Sequence, residues 1–130
     1  MRGQVSLEFI VIMGIASFML VGLLVIGSYQ LDEAADNKRA AQINDVLVSI
    51  QQELVTASAV HNGYYRTFSI PDKLVNKPYV ITLQNTSVST VVTISLEGRQ
   101  QSIHTPLCVG TLVAGENTIR KEDDLIRCNS

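Results

Sequence analysis

The sequence is poor in aromatic residues, prolines and cysteines, and these shortages limit what the chain can be. Its 130 residues include no Trp, three Phe, four Tyr, three Pro and two Cys. The two cysteines lack CxxC spacing, and His61 and His104 lie far apart, so we expect no metal and no cofactor. The chain has no phosphate-binding loop, dinucleotide fingerprint or Gly-x-Ser-x-Gly nucleophile motif. We therefore expect no catalytic residues and a protein that is not an enzyme.

Runs of positive charge are also missing. Ten Lys and Arg against twelve Asp and Glu give a net charge of −2. The basic pairs Lys38-Arg39 and Arg120-Lys121 are isolated. Binding to a nucleic-acid backbone needs a basic patch or stripe, so we expect no nucleic-acid partner.

Charge is absent altogether from Phe9 to Gly27. A helix of this length spans roughly 28 Å at about 1.5 Å per residue, close to the thickness of the hydrocarbon core of a bilayer. Arg2 precedes this segment, whereas Asp32 and Glu33 follow it. Because positive residues tend to stay cytoplasmic, the pattern predicts a short leader inside the cell and the rest of the chain outside.

Glu8 stands at the head of this apolar segment. A carboxylate at the edge of hydrocarbon is costly, which suggests a partner for it. A secretory signal peptide would have a shorter apolar core, a small-residue cleavage site after that core and no acidic residue at its head. A plain single-pass anchor accounts for the apolar run but gives no reason for Glu8.

The segment Gly3-Gln4-Val5-Ser6-Leu7-Glu8-Phe9 resembles the processing site of archaeal type IV pilins that carry a class III signal peptide. The resemblance implies that a membrane-embedded prepilin peptidase cuts between Gly3 and Gln4. It makes Gln4 the first mature residue and Glu8 the fifth, where pilins carry their glutamate. The motif covers these first residues, and the likeness of the remaining chain is in outline.

The same resemblance gives Gln4 and Glu8 roles in assembly. The new amine of Gln4 neutralises Glu8 of a neighbouring subunit, a pairing that is strongest in a low dielectric. An N-terminal Gln can also cyclise to pyroglutamate, and Glu8 then needs another donor, such as a backbone N–H at a helix N-terminus. Small residues along the segment, Gly14, Ser17 and Gly22 among them, would permit close approach of neighbouring helices.

The implied function is that of a structural subunit that polymerises into an extracellular adhesion filament. The implied partners are identical subunits, the prepilin peptidase, an assembly ATPase and a membrane platform protein. The precursor would reside in the cytoplasmic membrane and the mature chain in a filament on the cell surface. Two alternatives remain: a membrane-anchored extracellular binding domain that never polymerises, and a minor pilin at a filament tip or initiation site.

The fold predicted from the sequence is α+β, with one long N-terminal helix packed against a small C-terminal antiparallel sheet. The helix is expected from about residue 5 to 61, because neither Pro nor Gly occurs between Ser28 and Val60 and Asn62-Gly63 supplies a stop signal. Spacings of three and four residues define an apolar stripe in its second half: Ala40, Ile43, Leu47, Ile50, Leu54 and Ala57. The stripe could instead mark a coiled coil, but it is short and rich in Ala, which favours packing against a sheet.

From residue 63 onwards the pattern changes to strands. Alternating and β-branched segments predict four to six antiparallel strands, with a hairpin turn at Glu97-Gly98. The predicted organisation is therefore a cleaved leader, residues 1–3, an apolar helix, 4–28, its amphipathic continuation, 29–62, and a β-rich extracellular head, 63–130.

Three residues of the head are candidates for covalent modification. Cys108 and Cys128 are predicted to form a disulfide outside the cell, with two buried free thiols as the alternative. Asn85-Thr86-Ser87 is an N-glycosylation sequon predicted to lie in a turn between strands.

Overall fold

A computed structural model describes the backbone of residues 2–129 and the side chains of residues 6–129. Its first element is α1, a helix of 58 residues over Arg2–Ala59. The prediction of one uninterrupted helix is confirmed, and its end lies two residues before the predicted one. Gly63 follows with a φ of 93°, a conformation that glycine adopts without a steric penalty.

Seven strands follow within the described residues, and they form two sheets rather than one. One sheet has the order β1-β6-β7-β5 and the other the order β2-β3-β4. The strands are β1 (Tyr65–Ile70), β2 (Val80–Asn85), β3 (Ser89–Leu96), β4 (Arg99–Pro106), β5 (Cys108–Gly110), β6 (Gly115–Glu122) and β7 (Leu125–Cys128).

The predicted α+β class is confirmed, but the predicted count of four to six strands is too low. The expectation of purely antiparallel pairing is also wrong, because β5 pairs with β7 in parallel. The connection from β4 to β5 crosses from one sheet to the other, so β5 enters at the edge of the second sheet instead of continuing a hairpin. The predicted turn at Glu97-Gly98 is confirmed: Leu96 and Arg99 are paired across it, and both turn residues have positive φ.

The chain divides into two compact units, the first ending at Lys38 and the second beginning at Arg39. In the second unit, the predicted stripe of α1 packs against both sheets. Of its predicted members, Ile43, Leu47, Ile50, Leu54 and Ala57 are buried and Ala40 is half-buried. Val46, which the predicted stripe does not include, is buried beside them. The sheets contribute inward residues at alternate positions, among them Val92, Ile94, Leu96, Ile119 and Ile126. This set forms the hydrophobic core.

The end of α1 is held by a lysine from β6. Lys121 is 8% exposed, and its Nζ donates hydrogen bonds to the carbonyl oxygens of Ser58 at 2.8 Å and Val60 at 2.7 Å. The last carbonyls of a helix have no partner within the helix and carry partial negative charge. The buried ammonium satisfies two carbonyls at this end and joins the helix to the sheet.

Candidate functional site

The first unit consists of helix α1 up to Lys38, and its apolar side chains are exposed. Every residue from Ser6 to Ile26 is exposed, and Phe18 reaches 85%. The described residues contain one helix long and apolar enough to cross a membrane, and α1 is that helix. Monomeric soluble proteins rarely leave contiguous apolar patches larger than a few hundred Å² uncovered. This surface therefore needs lipid or protein around it.

Glu8 lies on this exposed stretch, near the N-terminal end of α1. Gly3 and Gln4 belong to the same helix, but their side chains lie outside the described residues. The predicted cleavage between them, and the pairing of Gln4 with Glu8, therefore stay predictions. The helix does put Glu8 four residues after Gln4, about one turn further along.

Small residues shape one part of the apolar surface. A groove of about 180 Å³ is lined by Gly14, Ser17, Phe18 and Val21. A Cβ added at Gly14 would meet no atom within 4 Å. The opening beside Gly14 is therefore free to accept a side chain from outside the monomer, as close helix packing in an apolar medium requires.

Cys108 and Cys128 form a disulfide, as predicted, with their Cα atoms 6.2 Å apart. Both residues are fully buried, and the bond ties β5 to the end of β7. Gly110 lies at the same junction with a φ of 129°, and a Cβ there would collide with the carbonyl of Cys128. The close approach of the two strands beside the disulfide thus requires glycine at position 110.

Asn85 lies at the exposed end of β2, where the predicted sequon enters a turn. Its side-chain oxygen accepts a hydrogen bond of 2.7 Å from the hydroxyl of Thr90. Thr90 is buried, and its hydroxyl in turn accepts a hydrogen bond of 2.9 Å from the backbone N–H of Cys108. The oxygen of Asn85 thus supports the junction between the two sheets. The amide nitrogen is the atom to which a glycan would be joined, and glycosylation stays a prediction.

Two polar residues with structural roles were missed by reasoning from the sequence. Lys121 and Thr90 both lie at inward positions of alternating strands, where an apolar residue is the usual choice. That alternation was the available signal. It would have indicated that each polar group meets a partner inside the core, because a buried polar group without a hydrogen bond is costly.

Residues 2–129 contain no group of three or more His, Cys, Asp or Glu side chains arranged to hold a metal ion. Comparisons with protein-family models, with curated proteins and with solved structures found no match.

Proposed function

We propose that this chain is a structural pilin subunit, cleaved between Gly3 and Gln4, that polymerises into an extracellular type IV pilus-like adhesion filament. One observation carries the proposal. The apolar residues of the first half of α1 are exposed on all sides, whereas the second half of α1 buries one stripe against the β-rich head. A helix built in this way suits a subunit that must exchange one apolar environment for another.

In the precursor, lipid covers the apolar half of the helix. In the filament, the same half packs against identical helices, and the heads form the outer wall. Burial from water does not drive this exchange, because lipid tails are already apolar. Close packing at small residues such as Gly14, contacts between heads and the neutralisation of Glu8 must supply the difference.

A membrane-anchored binding domain is the second candidate, favoured by the presence of one helix able to span a bilayer. In that case lipid covers the apolar half permanently. The two candidates predict different N-terminal residues and different surroundings for the apolar half of α1. Both differences can be measured.

The first test is the N-terminal mass of the natural protein recovered from sheared cell-surface material. Processing at the proposed site gives an N-terminus at Gln4, or its pyroglutamate form. A retained Met1, or a cut near Ala35, would contradict the proposal.

The second test compares Glu8→Gln with Glu33→Gln. Glu33 is an exposed glutamate of the same helix beyond the apolar segment, so it controls for loss of one charge. Removing one partner of a buried ion pair costs about 3–5 kcal/mol. We therefore expect negative-stain microscopy to find filaments in cells with Glu33→Gln and almost none in cells with Glu8→Gln. Equal numbers of filaments in the two strains would remove the proposed role of Glu8, and a chain found as a membrane monomer in both would favour the anchor.

A further inference from the structure

The sheet formed by β2, β3 and β4 contains a single Lys, Arg, Asp or Glu residue, Arg99 at the start of β4. No charged residue occurs between Lys77 and Glu97, or between Arg99 and Glu116. Its outer strand β2 (Val80–Asn85) therefore contains no charge, and it contains no proline. Proteins commonly protect the edges of sheets with Lys, Pro or a bulge, because an open edge is a template for pairing with another chain. Strand β2 has neither of the two residue types.

The backbone groups on the free side of β2 can be identified from the ladder. The N–H of Thr86 donates to the carbonyl of Ser89 at 2.8 Å, at the turn between β2 and β3. Hydrogen-bonded and non-hydrogen-bonded pairs alternate along an antiparallel ladder. Because Thr86 bonds to β3, the backbone groups of Gln84 and Thr82, two and four residues earlier, also bond to β3. The N–H and C=O groups of Ile81, Leu83 and Asn85 therefore point away from the sheet. Within the described part of the chain, no hydrogen bond reaches them.

The opposite edge of the sheet is partly covered. The side chain of Gln51, on α1, donates a hydrogen bond of 2.9 Å to the carbonyl of His104 in β4. Strand β4 also begins with a charged residue, Arg99. The open, uncharged edge of this sheet is thus β2.

We propose that β2 pairs with β2 of a second copy of this chain, antiparallel and two-fold symmetric about Leu83. In this register Leu83 meets Leu83 of the second copy, and Ile81 meets Asn85 of the second copy. On the solvent face, Thr82 lies opposite Gln84 of the second copy. The three pairs of outward residues supply about six backbone hydrogen bonds.

Two features favour a second copy as the occupant. A contact between identical copies brings identical charges together, and like charges directly opposite each other destabilise a sheet. An uncharged edge avoids that repulsion. The centre of the strand is also complementary to itself, because polar Thr82 meets polar Gln84 and Leu83 meets Leu83, whereas Ile81 faces Asn85 at the two ends. A two-fold interface requires this self-complementarity.

A pair of six-residue strands is small compared with a stable dimer interface, so the contact is weak between dilute molecules. Holding copies together in a membrane raises their effective concentration. The contact does not use the apolar half of α1, so it can be tested apart from the assembly proposed above.

The experiment compares two double variants of the full chain dispersed in detergent. T82K/Q84K places Lys opposite Lys across the proposed interface. The control, Q100K/S102K, adds the same charge to the same face at the other edge, where Ser102 lies in one row with Thr93 and Thr82. All four substituted side chains are exposed, so both variants should fold, and circular dichroism checks this.

Sedimentation should show that the dissociation constant of the dimer rises about tenfold or more in T82K/Q84K and changes less than about threefold in the control. A further variant, T82E/Q84E, should also fail to dimerise when it is the only chain present. Mixing it with T82K/Q84K should restore dimers, because each Lys then faces a Glu. Association through the apolar helices would be unaffected by these changes.

A wild-type chain that stays monomeric at every concentration would overturn the proposal. Equal weakening in the control, or no recovery in the mixture, would overturn it as well.

Discussion

The two halves of α1 are both rich in large aliphatic residues, but their surroundings differ. Leu24, in the first half, is 67% exposed, whereas Leu54, in the second half, is fully buried. Two β-sheets cover one stripe of the second half, and the monomer provides no cover for residues 6–26. The comparison separates two uses of apolar surface in one helix: the second half stabilises the head of its own chain, and the first half is available to lipid or to other copies.

The same substitution in each half of α1 should have very different consequences. Leu54→Ala should lower the free energy of unfolding of the head by about 2–5 kcal/mol, because it removes buried methyl groups and leaves a cavity. Leu24→Ala should change it by less than about 0.5 kcal/mol, as for most surface substitutions. Urea unfolding of the full chain in detergent, followed by the fluorescence of the head's tyrosines, measures both. Equal losses would mean that the apolar half also stabilises the head.

A smaller loss of stability is expected from a change at the C-terminal end of α1. Lys121→Met keeps much of the volume of the side chain but removes the hydrogen bonds to the carbonyl oxygens of Ser58, in the last turn of α1, and of Val60, just after it. We expect a loss of about 1–3 kcal/mol in the free energy of unfolding, together with faster amide exchange in the last turn. Lys73→Met, in an exposed loop, is the matched control and should have little effect. If the two variants unfold alike, Lys121 does not hold the helix end.

The smallest change in stability is expected at the start of the second unit. There Arg39 lies 3.8 Å from Glu97 in the turn between β3 and β4. A hydrogen bond from Lys77 is the main cause that lowers the pKa of Glu97, and the charges of Lys77 and Arg39 add to it. Because the pKa is lower in the folded state, the stabilisation is present above the ordinary pKa of a glutamate, about 4.3, and is lost as the pH falls through the folded value.

Glu97→Gln should therefore be slightly less stable than the wild type at neutral pH, and the difference should shrink in acid. Glu116→Gln, another exposed glutamate of the head, is the control for general charge effects. Urea unfolding at several pH values provides the measurement. A stability difference between Glu97→Gln and the wild type that grows as the pH falls would contradict the lowered pKa of Glu97.

Much of the fold could be predicted from the sequence because local signals agreed along most of the chain. The absence of Pro and Gly between Ser28 and Val60 predicts the continuous helix, and the spacing of its aliphatic residues predicts the stripe that packs on the head. For the candidate site, the residue types alone are enough to recognise the uncharged segment from Phe9 to Gly27 and the position of Glu8. The partner proposed for Glu8 would belong to another molecule, and its pairing with Glu8 stays a prediction.

The long helix, its change from wholly apolar to amphipathic, and the turn at Glu97-Gly98 follow from the residue order alone, because each depends on neighbours within a few positions in the chain. Four features depend on contacts between distant parts of the chain: the division of the strands between two sheets, the parallel pairing of β5 with β7, the capping of α1 by Lys121 and the open edge of β2. Ser58 and Lys121 are 63 positions apart in the chain. Pairing of residues so distant in sequence is selected by the packing of the whole core, which local propensity does not specify.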